Sequence, residues 1–272
     1  MPLFIVATPI GTLGDLSPRA KDVLQTVELI AAEDTRMTRR LLHGVNISAK
    51  KIMAVHAHNE ENQIEYVLGL AQEEDVALVC DAGTPGISDP GGRLVEAAHE
   101  RGIPVLSVPG PSALSTALSV SGFPAAPSSF IGFAPKKGRE TWVKELLRRP
   151  ETLVVFESPT RITDLVRRCS LEAPLRSAAM CRELSKRFEE ILRIPFNQLA
   201  EALQSRERIK GEIVLVIGPA ADSKPARPAQ KPLVHTHKGL ANALAERWGM
   251  ERREAYAILT DLDKEHRDSL DD

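Results

Sequence analysis

At 272 residues the chain is too long for one small domain, and 43% hydrophobic and 26% charged residues place it among ordinary globular proteins, excluding a disordered or fibrous chain. No apolar run approaches the roughly 20 residues a membrane span needs, and the opening M-P-L-F-I-V-A-T-P lacks the basic start of a secretory signal. A formal net charge of -2 argues against a protein held on polyanions by overall charge, and 4% aromatic residues argue against a broad base-stacking sheet.

In chain order, Leu3 to Thr8 is a short apolar strand running into P-I-G-T-L-G-D-L-S-P. Ser17 and Pro18 then read as the N-cap and first position of a helix, with Ala20, Val23, Leu24 and Val27 at helical spacing. V-E-L-I-A-A is the next strand and ends in E-D-T-R. A helix through Thr38 to His43 is expected to stop at a left-handed Gly44. K-I-M-A-V is a third strand, followed by H-A-H-N-E-E-N and a helix to about Gln72. Val76 to Cys80 is a fourth strand, a helix runs from about Arg93 to Arg101, and I-P-V-L-S-V is a fifth strand that enters P-G-P-S-A. Strands alternating with helices predict a parallel sheet covered on both faces.

After Gly122 the character changes, with F-P-A-A-P-S-S-F-I-G-F-A-P-K-K-G rich in proline and glycine. A second α/β region follows, with strands around Phe130, Leu153 to Phe156, Ser177 to Cys181, Ile191 to Ile194 and Ile213 to Ile217. Helices fall near Glu140 to Arg148, Arg161 to Arg168 and Asn197 to Gln204, and the adjacent late strands predict a mixed sheet. The division is therefore residues 1–111 and 112–220 for two α/β domains, 221–237 for a proline-rich linker, and 238–272 for a small helical domain with two helices joined near Gly249. Cys80, Cys169 and Cys181 have no metal-ligand spacing, and their odd number fits a reduced, cytoplasmic setting.

Three glycine-rich loops follow strands: P-I-G-T-L-G-D, D-A-G-T-P-G-I-S-D-P-G-G and P-G-P-S-A. The second packs four glycines, two prolines and two aspartates into twelve residues. Taken alone it is an elaborate turn between strand and helix. Three such loops at the carboxyl ends of parallel strands point instead to one shared ligand pocket. Neither G-x-G-x-x-G nor G-x-x-x-x-G-K-[ST] occurs, so neither dinucleotide nor phosphate-loop binding is indicated. His56, His58 and Glu60 of H-A-H-N-E read as a polar rim; no metal site is expected.

The motifs V-A-T-P-I-G-T-L-G-D-L-S-P-R-A, A-A-E-D-T-R, D-A-G-T-P-G-I-S-D-P-G, V-P-G-P-S-A-L-S-T-A-L-S-V-S-G-F-P, F-I-G-F-A-P, F-E-S-P-T-R, C-R-E-L-S-K-R-F-E-E and K-G-E-I-V-L-V-I-G occur in this order. With them the chain resembles the ribosomal RNA small subunit methyltransferase I family, within the tetrapyrrole-methylase-like class of S-adenosylmethionine enzymes, over about residues 3–218. It departs from the usual pattern in G-T-L for G-N-L, E-L-S-K for E-L-T-K, and I-L-R where a glycine commonly follows F-E-E.

The resemblance implies two α/β domains with S-adenosylmethionine in the cleft between them, usually in a homodimer. It implies methylation of the ribose 2′-oxygen of a decoding-site cytidine in 16S rRNA, on free RNA or on the 30S subunit. On this reading Asp81 accepts hydrogen bonds from the cofactor, and Gly83, Thr84, Pro85, Gly86, Ile87 and Ser88 wrap it. Pro9 belongs to the first loop, Gly110 and Pro111 hold the start of the next helix, and Ser112 and Ala113 offer N–H groups to a carboxylate. Phe156, Glu157, Gly211 and Glu212 close the far side.

A ribose hydroxyl benefits from a general base, for which Asp34, Glu33, Glu183 and Lys186 are candidates. The ordinary role of the E-D pair is to stabilise a helix N-terminus. Arg36, Arg39, Lys136 and Lys137 are the expected RNA contacts, although basic clusters such as residues 136–149 also serve as solvated faces. Two other readings compete. A tetrapyrrole methyltransferase would keep the fold, and a nucleic-acid-binding regulator would use the terminal helix pair.

Overall fold

The computed structural model describes residues 1–220, 241 and 249–268. Two units are present, Met1–Ser223 with both sheets and Lys224–Asp272 with the last helix.

The first sheet consists of β1 (Leu3–Val6), β2 (Leu29–Ala32), β3 (Ile52–Ala54), β4 (Val76–Val79) and β5 (Val105–Val108), in the order β3-β2-β4-β1-β5 and parallel throughout. The central strands β2 and β4 are buried at every position, as unbroken apolar runs require, whereas the edge strand β5 leaves Leu106 exposed. Helices α1 (Pro18–Thr26) and α2 (Thr35–Gly44) supply Leu24 and Leu42 to one face of the sheet. Helices α3 (Glu60–Ala71) and α4 (Gly92–Glu100) supply Leu68 and Leu94 to the other. As expected, Ser17 caps α1, its hydroxyl accepting from Ala20 N at 3.1 Å ahead of Pro18. The stop of α2 differs from expectation: Gly44 is not left-handed, and Asn46 takes φ 58 after the Val45 C-cap. Asparagine tolerates that region because its short polar side chain hydrogen-bonds locally.

The chain then crosses into the second sheet through α5 (Ala113–Ser121), ended by Gly122 at φ 66. Strands β6 (Ser128–Phe133), β7 (Thr152–Glu157), β8 (Ser177–Arg182), β9 (Glu190–Pro195) and β10 (Ile213–Ile217) form the order β6-β7-β10-β8-β9. Only β6 and β7 are parallel, so the sheet is mixed as predicted. Helices α6 (Arg139–Arg148), α7 (Ile162–Glu172) and α8 (Phe196–Gln204) cover one face around the fully buried Phe196. That side chain alone contributes about 2–3 kcal/mol relative to exposure.

The opposite face is covered by α5 and by Ile10, which comes from the loop after β1 and packs with Ala117, Val154, Val214 and Val216. This apolar cluster brings the strand ends of the first sheet against the second. Helix α9 (Arg252–Asp268) follows Gly249 at φ 66, while the 221–237 linker and the first helix of the expected terminal pair lie outside the described residues, residue 241 apart. No helix among the described residues is long and apolar enough to cross a membrane.

Candidate active site

Because the first sheet is parallel, the loops after β1, β2, β4 and β5 all leave from one edge. They are tied to one another by backbone and side-chain hydrogen bonds. Thr8 N donates to Gly83 O at 2.8 Å and Gly83 N to Thr8 O at 3.0 Å, while the Thr84 hydroxyl donates to Pro111 O at 3.2 Å. At Gly91 the chain takes φ +123 with Leu78 so close that a Cβ would stand 2.5 Å from its Cδ2, so only glycine fits the turn into α4. Buried Glu60, from the H-A-H-N-E stretch, accepts from Gly91 N at 3.1 Å and Leu94 N at 3.0 Å and so caps α4 from a different helix. Such a long-range cap has no local signal in the sequence.

Between these loops and the second sheet lies a cavity of about 390 Å³. Its apolar wall includes Ile10, Ala113, Phe133, Phe156 and Val214. Its polar side is acidic, with Glu33, Asp81, Asp89 and Glu212. The expected residues Asp81, Ser88, Ala113, Phe156, Glu157, Gly211 and Glu212 all border it. Gly83, Thr84, Pro85, Gly86, Ile87, Gly110, Pro111 and Ser112 do not, and instead form or brace the loops behind it. Ile87 is half exposed. Ser112 stands at the N-cap of α5 without a side-chain cap, leaving the first-turn N–H groups beside the cavity unclaimed by a hydroxyl. Asp89, Phe133, Ser158 and Pro159 also border the cavity and were not expected. Asp89 lies in the quoted glycine-rich loop, and Ser158 and Pro159 in F-E-S-P-T-R, so motif membership was their only signal.

The acidic groups differ sharply in their surroundings. Burial, chiefly, raises the pKa of Glu33, Asp81 and Asp89 above ordinary carboxylate values, and neighbouring carboxylates reinforce the shift in all three. Asp81 N donates to Glu33 Oε2 at 3.3 Å, and Asp34 N to Asp81 Oδ1 at 3.1 Å. Asp34 points elsewhere. As N-cap of α2 it accepts from Arg36 N at 2.8 Å and binds the Arg36 guanidinium at 2.7 Å, which pulls its pKa down to about 2. Beneath the loop, burial pushes the Cys80 thiol well above its ordinary value, so it stays neutral.

A second cavity, of about 620 Å³, adjoins the first, and Ile10, Asp81, Ala82 and Glu212 border both. Its other lining residues include Pro9, Leu13, Met37, Arg40, His43 and Lys186. Lys186 Nζ binds Glu183 at 2.9 Å and Glu212 at 3.0 Å. Burial opposes its charge, but these two carboxylates outweigh burial and raise its pKa, so Lys186 is held protonated. For Glu183, burial works the other way, yet the hydrogen bonds from Glu212 N and Lys186 leave its pKa lowered. Gly211, at φ +95, leaves room for that carboxylate, because a Cβ there would stand 2.5 Å from Glu183 Cδ.

The loop carrying Glu183 and Lys186 is fastened to the first sheet. The Thr12 hydroxyl donates to Ser185 O at 2.6 Å, and the Ser185 hydroxyl donates to Asp15. Glu183 and Ser185 both hold positive φ, at 52 and 61, a costly backbone for residues with side chains.

Of the expected RNA contacts, Arg36 is engaged with Asp34 and Arg39 lies exposed on α2. Lys136 borders a separate surface cavity at the start of α6 with Arg139, Asp164 and Arg168, and Lys137 is exposed beside it. The structure does not bring these lysines to either cleft cavity. No group of three or more potential metal ligands occurs among the described residues.

Residues 2–200 match the model of the tetrapyrrole (corrin/porphyrin) methylases. A ribosomal RNA small subunit methyltransferase I of a Hydrogenobaculum species is 44% identical over 219 residues, covering 80% of this chain and 95% of that protein. One from Xylella fastidiosa is 46% identical, covering 83% and 84%. Among solved structures, uroporphyrin-III-C-methyltransferase from Thermus thermophilus superposes with a TM-score of 0.57 at 22% identity, over 80% of this chain and 94% of that one. A further structure, of uroporphyrin-III C-methyltransferase from the same organism in complex with S-adenosylhomocysteine, gives 0.56 at 18% identity, covering 80% and 97%. By these matches the chain belongs to the tetrapyrrole methylase family and, within it, to the ribosomal RNA small subunit methyltransferase I group.

Proposed function

We propose that this protein transfers a methyl group from S-adenosylmethionine to the ribose 2′-oxygen of a decoding-site cytidine in 16S rRNA. The observation that carries the reading is the set of partly buried carboxylates, Glu33, Asp81 and Asp89, facing a cavity with an apolar wall. Among the described residues none of the three has a salt-bridge partner, and a cationic ligand supplies what they lack. S-adenosylmethionine carries a positive sulfonium and an ammonium group, an apolar adenine and ribose hydroxyls. The acidic rim, the Phe133 and Phe156 rings and the uncapped start of α5 match those parts in chemistry.

When bound, the cofactor supplies an electrophilic methyl group on sulfur, and no metal is needed. The chain then has to hold the target oxygen in line with it and remove its proton. Asp81 borders both cavities and accepts hydrogen bonds from the donor. Glu33 is the stronger base, because burial raises its proton affinity, whereas Asp34, at about 2, stays ionised and anchors α2. In the second cavity Arg40 has no carboxylate partner among the described residues and is the group available to a phosphate, while Lys186 is held by Glu183 and Glu212. The rRNA target is supported by the names of the relatives, and the cytidine 2′-oxygen, the homodimer and a cytoplasmic location by the family resemblance.

The test is to incubate the protein with methyl-labelled S-adenosylmethionine and either 30S subunits or naked 16S rRNA lacking the modification. The labelled nucleotide is then mapped, and its ribose linkage tested for alkali resistance. Label is expected on a cytidine 2′-oxygen and is lost in Asp81→Ala. Tight cofactor binding with no transfer to either RNA would reject the rRNA reading in favour of a tetrapyrrole substrate.

A further inference from the structure

Outside both cavities, the second sheet presents a surface that the reading above does not use. A recess of about 740 Å³ is lined by Arg182, Arg206, Arg208 and Lys210, with Phe188, Ile209 and the single carboxylate Glu207. Phe188 is 65% exposed, a state that water disfavours for so large an apolar ring, and the Arg187 guanidinium lies 5.5 Å from its centroid.

The charges here are unevenly spent. Glu190 holds Arg182 at 2.9 Å and Arg206 at 2.5 Å, which drags its own pKa to about 2 and fixes both guanidinium groups in the wall. Glu189, next to Phe188, is turned to Ser185 N at 2.6 Å. Arg187, Arg208 and Lys210 have no salt-bridge partner among the described residues. The result is an anchored basic wall, two lining cations without a carboxylate partner, and an exposed aromatic ring with Arg187 against it.

The place of this surface in the chain links it to the cavities. Lys210 immediately precedes Gly211 and Glu212, which border the cofactor cavity, and Phe188 lies two residues beyond Lys186 in the second cavity. The recess is thus built from the same two chain segments that reach the cavities.

We infer that this surface binds single-stranded RNA flanking the methylated nucleotide, with a base stacked on Phe188 and phosphates on Arg208 and Lys210. The inference rests on the rRNA reading above. An unpaired strand is favoured over a duplex because bases inside a helix offer no free face to an aromatic ring. Stacking on an exposed ring combined with cations along the backbone is how proteins hold unpaired strands.

The experiment uses the full chain and a fluorescent single-stranded RNA of roughly 12 nucleotides, a length matched to the usual site sizes. Anisotropy titrations at several salt concentrations are run for wild type, Phe188→Ala, Phe188→Trp and the Arg208→Ala/Lys210→Ala double variant. S-adenosylmethionine binding and methyl transfer to 16S rRNA are measured in parallel. Phe188→Ala is expected to weaken RNA binding about tenfold and Phe188→Trp to keep it. The double variant is expected to reduce the slope of log affinity against log salt by about 1.4, roughly 0.7 for each lost phosphate contact. Cofactor affinity is expected to be the same in all four proteins. Equal RNA affinity and salt slope in every variant, with wild-type transfer intact, overturns the surface and leaves the proposed reaction standing. Loss of RNA affinity in the variants, with no transfer to rRNA by the wild type, supports the surface and rejects the reaction.

Discussion

Glu157, on β7, and Glu33, after β2, border the same cavity from opposite sides, and they live in different electrostatic worlds. Glu157 is fully enclosed and neutralised: Arg139 binds one oxygen, Arg161 the other at 2.7 Å, and Ser158 N adds a donor at 2.7 Å. Arg139 continues to Asp164, which in turn holds Arg167 and Arg168, so both carboxylates of this network are paired with arginine. On the first-sheet side Glu33, Asp81 and Asp89 receive no such partner, and burial raises all three. One wall is paired by the chain itself, while on the proposed reading the other is completed by a cationic ligand. The three acids without a cationic partner are therefore the ones the proposed reading assigns to ligand and chemistry, and Glu157 the one it assigns to the frame.

The contrast can be broken most forcefully at Glu33. Glu33→Gln is expected to lower kcat for methyl transfer about a thousandfold, equivalent to about 4 kcal/mol, with cofactor affinity changed little. In the wild type, kcat should fall as pH drops through a value above the ordinary glutamate pKa of about 4.3, and the substitution should abolish that acidic limb. An unchanged limb in Glu33→Gln would return the role of base to another group.

Arg139 comes next. Arg139→Ala strands the buried Glu157 with only Arg161 and is expected to cost about 3 kcal/mol in urea unfolding, with the m-value constant. A loss below about 1 kcal/mol would mean that the matched wall is not structural.

Asp81→Asn should weaken cofactor binding by about a hundredfold by calorimetry, close to 3 kcal/mol, without loosening the fold. Affinity within a few-fold of wild type would remove Asp81 from the donor site.

The smallest effect is the most diagnostic. The raised pKa of Asp89 means that its contribution to stability is full below the ordinary aspartate value of about 3.9 and is lost as pH rises through the folded-state value. Asp89→Asn should therefore raise the Tm of the cofactor-free protein at pH 7, by about 2 °C, and the gain should vanish below about pH 4. A lower Tm at pH 7 would contradict the idea that this wall is strained when empty.

Much of the fold could be read from apolar runs, because β2 and β4 are buried from end to end and have no polar residue to confuse the pattern. The mixed character of the second sheet followed from late strands too close together for helical crossovers. The chain's use of Asn46 rather than Gly44 to leave α2 was not legible, since either residue can follow a helix and tertiary packing chose between them. At the site, the loops were legible as loops and the motif resemblance ordered them. What could not be read was which of two adjacent acids faces the cavity. Asp34 takes the local role of a cap because Arg36 lies two residues on, and that turns Glu33 inward to Asp81. The cap that Glu60 gives to Gly91, 31 residues away, is likewise a product of the assembled fold.

The two cavities meet only along Ile10, Asp81, Ala82 and Glu212, and otherwise have separate walls. On the proposed reading, donor and acceptor therefore occupy separate cavities that meet along this shared line. Kinetically, that geometry describes a ternary complex, in which neither donor nor acceptor has to leave for the other to bind.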